Sequence, residues 1–139
     1  MNSYRYSDLY VGLEENFNVD IDETKVQRFL DLSGDTNPLH VDASYAISQG
    51  FEDRVVYGML TSSYYSTLIG VYLPGKRAIL HSVDIKFSLP VYIGDSLKVC
   101  GRIAYLNDAY KQVEIKAFMS NQSGKKVSKA VIKSGVVDE

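Results

Sequence analysis

Tryptophan is absent from these 139 residues, cysteine occurs once, histidine twice and proline three times. Cys100 alone cannot form an intrachain disulfide or a cysteine zinc cluster, and its solitude fits a reducing compartment. His40 and His81 are distant, with no His-x-x-x-His spacing, so no metal site is expected. The net charge is −2, and no basic patch interleaved with aromatics stands out, which argues against a nucleic-acid partner. The first residues, MNSYRYSDLYVG, lack the charged-then-apolar pattern of a signal peptide, so the cytoplasm is the expected location. Charge is also missing from Val55 to Gly75, a length close to the roughly 20 residues of a spanning helix. That run is crowded with hydroxyls from Thr61 to Thr67 and broken by Gly58, Gly70 and Pro74. A helix uncharged on every face, in such a chain, is expected to be wrapped by the rest of the protein rather than by lipid.

What is present describes an ordinary globular chain, 45% hydrophobic and 23% charged, which excludes a disordered one. Its length suits one domain over residues 1–139, able to bury roughly two thirds of its unfolded surface. Phe17, Val19 and Ile21 alternate with polar residues as in a short strand. Asp22 is a good helix N-cap, Val26, Phe29 and Leu30 form one apolar stripe, and Gly34 is a suitable stop. Thr36-Asn37-Pro38 cannot continue that helix, because proline disfavours the helical conformation of its predecessor. Asp42 can cap a short helix from Ala43 to Gln49. A third helix is expected from about Met59 to Leu73.

After Pro74-Gly75 the period changes to two. Ile79, His81, Val83, Ile85, Phe87 and Leu89 share one face, the alternation of a half-buried strand. Leu97, Val99, Ile103 and Tyr105 mark a second long strand, Val113, Ile115, Ala117 and Met119 a third, and Val127 to Val137 a last one. Helices followed by an antiparallel meander argue an α+β fold. His81 on its apolar face reads as a core or interface histidine, and Tyr64, Tyr65 and Tyr72 as core or tunnel wall.

The segment Ser33-Gly-Asp-Thr-Asn-Pro-Leu-His-Val-Asp42 carries the chemistry. Asp35 and His40 stand five apart on an irregular turn that could fold both side chains toward one point. A carboxylate and an imidazole converging on a water make a general acid–base pair, the carboxylate fixing the ring. The bland alternative is loop capping by Asp35 and a surface His40. This segment, with Phe51-Glu-Asp-Arg-Val-Val-Tyr-Gly-Met-Leu60, Leu73-Pro-Gly75 and Phe87-Ser-Leu-Pro-Val-Tyr-Ile-Gly-Asp95, closely resembles the MaoC-like, R-specific enoyl-CoA hydratases from about Phe17 onward.

The resemblance implies a hotdog fold, an antiparallel sheet wrapped around a long central helix. It implies hydration of a trans-2-enoyl thioester to an R-3-hydroxyacyl thioester, with Asp35 and His40 as the catalytic pair and Asn37 supporting their loop. The backbone N–H of Gly58 would polarise the thioester carbonyl, helix N-termini presenting free donors; alternatively Gly58 only permits a tight turn. No cofactor is implied, since coenzyme A or phosphopantetheine enters with the substrate, the latter on an acyl carrier protein. A homodimer or higher assembly is implied, because hotdog domains generally join their sheets across an interface. Many relatives carry His where this chain has Tyr57, which could narrow the pocket or simply pack. Ser62 could meet substrate or bond within its helix. Two other readings stay open: a hotdog acyl thioesterase, and a non-catalytic acyl-thioester-binding subunit.

Overall fold

The structure, a computed structural model, describes residues 1–138. Strand β1 (Glu14–Asp20) is followed by helices α1 (Glu23–Ser33), α2 (Pro38–Val41), α3 (Ala43–Ser48) and α4 (Gly58–Thr67). Four strands complete the chain: β2 (Ala78–Phe87), β3 (Ser96–Asn107), β4 (Gln112–Ser120) and β5 (Lys126–Val136). They form one five-stranded sheet in the order β1-β3-β4-β5-β2, and every neighbouring pair is antiparallel. The α+β class and the segregation of helices from the meander are as the sequence implies.

The helix signals work where they were read. Asp22 accepts from the Lys25 N–H at 2.9 Å, and Gly34 ends α1 in the left-handed region at φ 70°. Asp42 accepts from the Tyr45 N–H at 3.2 Å to start α3. The third predicted helix is shorter than expected. Regular α-helix stops at Thr67, and Leu68–Tyr72 forms a wider π turn that closes on the Leu73 N–H to Leu68 carbonyl bond at 2.8 Å. No helix of the described residues is long and apolar enough to cross a membrane.

The core lies between α4 with its π turn and the concave face of the sheet. Tyr65, Leu68 and Ile69 from the helical side, and Val99, Ile103, Ile115, Met119 and Ile132 from the strands, are at most 2% exposed. Each such branched side chain contributes roughly 1.5–3 kcal/mol relative to its exposed state. Gly101 lets helix and sheet meet, since a Cβ there would stand 2.8 Å from Leu68 Cδ2. This hotdog arrangement covers one side of the uncharged helix; the expected wrapping is incomplete, because Met59, Ser63, Ser66 and Gly70 form an exposed stripe on the side away from the sheet.

Two bulges correct the predicted alternation. In β3 the pairing slips between Ile103 and Tyr105, so Tyr105 faces solvent at 59% exposure and Leu106 takes the inward place opposite Val113. In β2 it slips between Leu80 and Ser82, which leaves His81 as the extra residue. Its Nδ1 lies 2.8 Å from Gln112 Nε2, so His81 is a solvent-facing residue of this chain rather than a core one. The strand is also not half-buried. It is an outer strand of the sheet, with Ile79, Leu80, Val83 and Phe87 all exposed.

Candidate active site

The loop after α1 is built from short-range bonds that its own sequence supplies. Asp35 Oδ1 accepts from the Asn37 N–H at 3.1 Å, and Asn37 Oδ1 accepts from the Leu39 N–H at 2.9 Å. Asn37 thereby caps α2, with Pro38 at the first helical position where a missing N–H costs nothing. The contact of Asn37 with its loop is thus to the backbone of α2.

His40 sits on α2 and is fixed from outside the motif. Its Nδ1 lies 2.6 Å from the Val55 carbonyl oxygen, and the Val55 N–H donates to the Leu39 carbonyl at 3.0 Å. A carbonyl only accepts, so Nδ1 carries the proton and Nε2 of the neutral ring keeps a free lone pair. Val55 is itself held in place by the neighbouring Val56 N–H to Val91 carbonyl bond at 2.8 Å. The expected orientation of His40 by Asp35 is thus replaced. Among the described residues no hydrogen bond or ion pair joins the two side chains, and Asp35 is exposed.

Tyr57 braces the same loop from beneath. Its ring lies 4.1 Å from the His40 ring and 4.8 Å from Phe29, while its hydroxyl donates to the Asp35 carbonyl at 2.6 Å. Only 1% exposed, it packs rather than narrowing the cavity, whose wall it does not join. Burial first, then the Asp35 charge, raise its phenol above the ordinary value, so it remains a neutral donor. Tyr57 therefore connects both halves of the candidate pair.

His40 opens on a cavity of about 300 Å³, lined also by Val55, Gly58, Thr61, Phe87, Val127 and Ser128. Gly58 is the first residue of α4, and its N–H has no acceptor among the described residues, as expected at a helix start. The φ of Gly58 is not in the left-handed region, so its backbone does not demand glycine. Its lack of a side chain instead admits Phe87, whose ring carbon Cε1 would stand 3.0 Å from a Cβ there. Ser62 donates to the Gly58 carbonyl at 2.7 Å and is not part of the wall; Thr61 does the same at 2.9 Å and is. Of the two readings for Ser62, bonding within its own helix is the one observed.

A larger groove, about 890 Å³, runs over the outer face of the sheet among Lys86, Lys98, Arg102, Lys116 and Lys126. Neither Asp35 nor His40 reaches it, so size does not choose the site; the chemistry does. The sequence reading missed the Val55 carbonyl, Phe87 and Ser128. A backbone carbonyl carries no side-chain signal. Phe87 and Ser128 are register partners on adjacent strands, a pairing that becomes evident only with β2 set beside β5.

The chain matches the model of the MaoC like domain over residues 12–122. It is 39% identical over 89 residues to an (R)-specific enoyl-CoA hydratase of Aeromonas caviae, covering 64% of this chain and 66% of that protein. It is 42% identical over 72 residues to a mitochondrial 3-hydroxyacyl-[acyl-carrier-protein] dehydratase of Arabidopsis thaliana, covering 52% and 42% respectively. These matches span just under two thirds of the first protein's length and under half of the second's. Among solved structures, an unliganded R-hydratase of Pseudomonas aeruginosa superposes with a TM-score of 0.89 at 32% identity, over 97% of this chain and 86% of that one. With the family's domain spanning most of its length and its fold reproduced, this chain belongs to the MaoC-like domain family.

Proposed function

We propose that this protein is a hydro-lyase that reversibly adds water to a trans-2-enoyl thioester, forming an (R)-3-hydroxyacyl thioester. The observation that carries the reading is the His40 ring, held with its proton on Nδ1, beside the unpartnered Gly58 N–H in one cavity. In the hydration direction Nε2 of His40 takes a proton from water as the water oxygen bonds to the β-carbon. The alkene electrons move onto the α-carbon and thioester carbonyl, where the Gly58 N–H stabilises the developing negative charge. The α-carbon then receives a proton from the Asp35/His40 pair. Asp35 assists by orienting the water, and Asn37 and Tyr57 hold its loop. The acyl group rides on coenzyme A or on the phosphopantetheine of an acyl carrier protein, and no further cofactor is called on. The named activities of relatives that act on acyl-CoA and on acyl-carrier-protein thioesters support this substrate class.

The test is the consumption of crotonyl-CoA, followed by ultraviolet absorbance with product stereochemistry and free thiol read in parallel. R-3-hydroxybutyryl-CoA is the expected product. Free thiol in its place would mark a thioesterase, and inertness toward both CoA and carrier-protein substrates would mark a binding subunit. Asp35→Asn keeps an oxygen to accept from the Asn37 N–H, so the loop should survive while the charge is lost. Its kcat is expected to fall about 10²-fold or more; a rate within about twofold of wild type would remove Asp35 from the mechanism.

The exposed apolar side chains of β2 support assembly as a homodimer, since an open hydrophobic edge strand invites pairing. Sedimentation velocity is expected to give about twice the 15.6 kDa chain mass. An active monomer would rule the dimer out.

A further inference from the structure

Tyr65 on α4 and Ser128 on β5 face one another across the core, 1% and 2% exposed, with their hydroxyl oxygens 2.8 Å apart. Each hydroxyl brings one proton. A single hydrogen bond between them consumes one, and neither oxygen has another partner among the described residues. One buried donor is therefore left without an acceptor, an arrangement that is costly and that folded proteins rarely tolerate without a ligand or water to complete it. Ser128 is part of the wall that also contains His40 and Gly58. We propose that the Ser128–Tyr65 pair recognises a neutral oxygen acceptor, such as an ether or ketone, carried on the acyl chain of the substrate. This rests on the enoyl-thioester reading and narrows its substrate class.

The rest of the wall says why the oxygen must be neutral and why this pair must bind it. Among the described residues no lysine or arginine lines the cavity, so an acyl carboxylate would lose its hydration with no permanent cation to meet it. Burial pushes the Tyr65 phenol up to about 12, which keeps the pair uncharged. Thr61 has already given its proton to the Gly58 carbonyl. Val55, Val56, Phe87, Leu89, Val91 and Val127 offer only apolar contact, and Ser88, the wall's other serine, is exposed and can spend its proton on water, whereas Ser128 is buried. A plain hydrocarbon chain would satisfy these and leave the spare proton unbonded. An oxygen in the chain selects the arrangement in which Tyr65 donates to Ser128 and Ser128 donates into the cavity.

Matched substrates isolate this one contact. In trans-2-hexenoyl-CoA and 4-methoxycrotonyl-CoA, and in trans-2-heptenoyl-CoA and 5-methoxy-trans-2-pentenoyl-CoA, one methylene is exchanged for an ether oxygen. Comparing each pair between wild type and variants cancels its intrinsic reactivity. Ser128→Ala is expected to lower kcat/KM about tenfold for at least one ether, the worth of one good hydrogen bond, and to leave both hydrocarbons within about twofold. Ser128→Thr should retain the ether preference. The double variant Ser128→Ala/Tyr65→Phe, which leaves no lone buried hydroxyl, repeats the comparison if Ser128→Ala does not fold. Calorimetric binding of the saturated pairs, hexanoyl-CoA with 4-methoxybutanoyl-CoA and heptanoyl-CoA with 5-methoxypentanoyl-CoA, reads the same contact without turnover. Turnover with equal losses on ethers and hydrocarbons would overturn this site and leave the hydratase reading intact. An ether preference in binding without any turnover would do the reverse. No preference in either measurement would mean that the spare proton meets only water.

Discussion

His40→Ala is expected to lower kcat for enoyl-thioester hydration by about 10²–10⁴-fold, the range in which a positioned acid–base group contributes. The size follows from what the ring alone supplies. The Val55 carbonyl holds the Nδ1 proton, so Nε2 is the only free base that this residue presents to the cavity. Alanine removes that base and also the bond to Val55, worth about 1 kcal/mol of stability. The Leu39–Val55 backbone bond and the Tyr57 hydroxyl bond remain, so the loop should keep its course. Folding is therefore checked by thermal denaturation, and the rate by crotonyl-CoA consumption. A small drop in kcat with a large rise in KM would assign His40 to binding and remove it from the proton transfer. A fall in kcat with nearly native melting is the outcome that the geometry requires.

Gly75→Ala is expected to be the most destabilising single-methyl change in the chain, by about 3 kcal/mol or more. Two independent effects act at this residue. Its φ of +86° is a conformation that a side chain resists, and a Cβ there would lie 2.1 Å from the Asn2 carbonyl oxygen. The obstacle is backbone, which cannot rotate away as the end of a side chain can. That carbonyl accepts from the Lys76 N–H at 2.8 Å, the Asn2 N–H donates to the Val71 carbonyl at 2.8 Å, and Ser3 bridges to Gly75. The N-terminal segment thus clasps the end of the π turn, and the methyl group would pry the clasp open. A fall of about 10 °C in melting temperature is the corresponding reading for a chain of this size. An unchanged melting temperature would show that the clasp contributes nothing to stability. Gly34→Ala makes a useful contrast, since a Cβ at Gly34 meets nothing within 4 Å and only the backbone penalty applies.

Much of the molecule is determined by local sequence. Asp22, Gly34, Asn37-Pro38 and Asp42 set helix ends through bonds reaching three or four residues, so their positions can be read along the chain. The absence of charge from Val55 to Gly75 foretells burial of the helix only in part: Leu60, Tyr65, Leu68 and Ile69 are buried, but Met59, Ser63, Ser66 and Gly70 form an exposed stripe. The alternation in Val113–Met119 foretells an inward row, because β4 runs without a bulge there and lies between two other strands. The same logic fails for Tyr105 and for His81. One extra residue in a strand reverses the phase, and a bulge is set by the pairing partner rather than by the residues it displaces.

The site divides along the same line. Asp35, Asn37 and His40 stand within ten consecutive residues, and the chemistry that an imidazole and a carboxylate can perform is legible from their types. Which atom holds the imidazole is not. The choice falls to the Val55 carbonyl, fifteen residues on, because Val55 is tied to both Leu39 and the strand-like segment at Tyr92. Tyr57 reads from sequence as a departure whose effect is undecided; only packing shows its hydroxyl under Asp35. Ser128 carries no signal at all until β5 is laid against α4 and its hydroxyl meets that of Tyr65. Side-chain type and short-range bonding suffice to say what the loop can do. Which proton is held, and which is left free, depends on acceptors brought in from distant strands by the closing of the core.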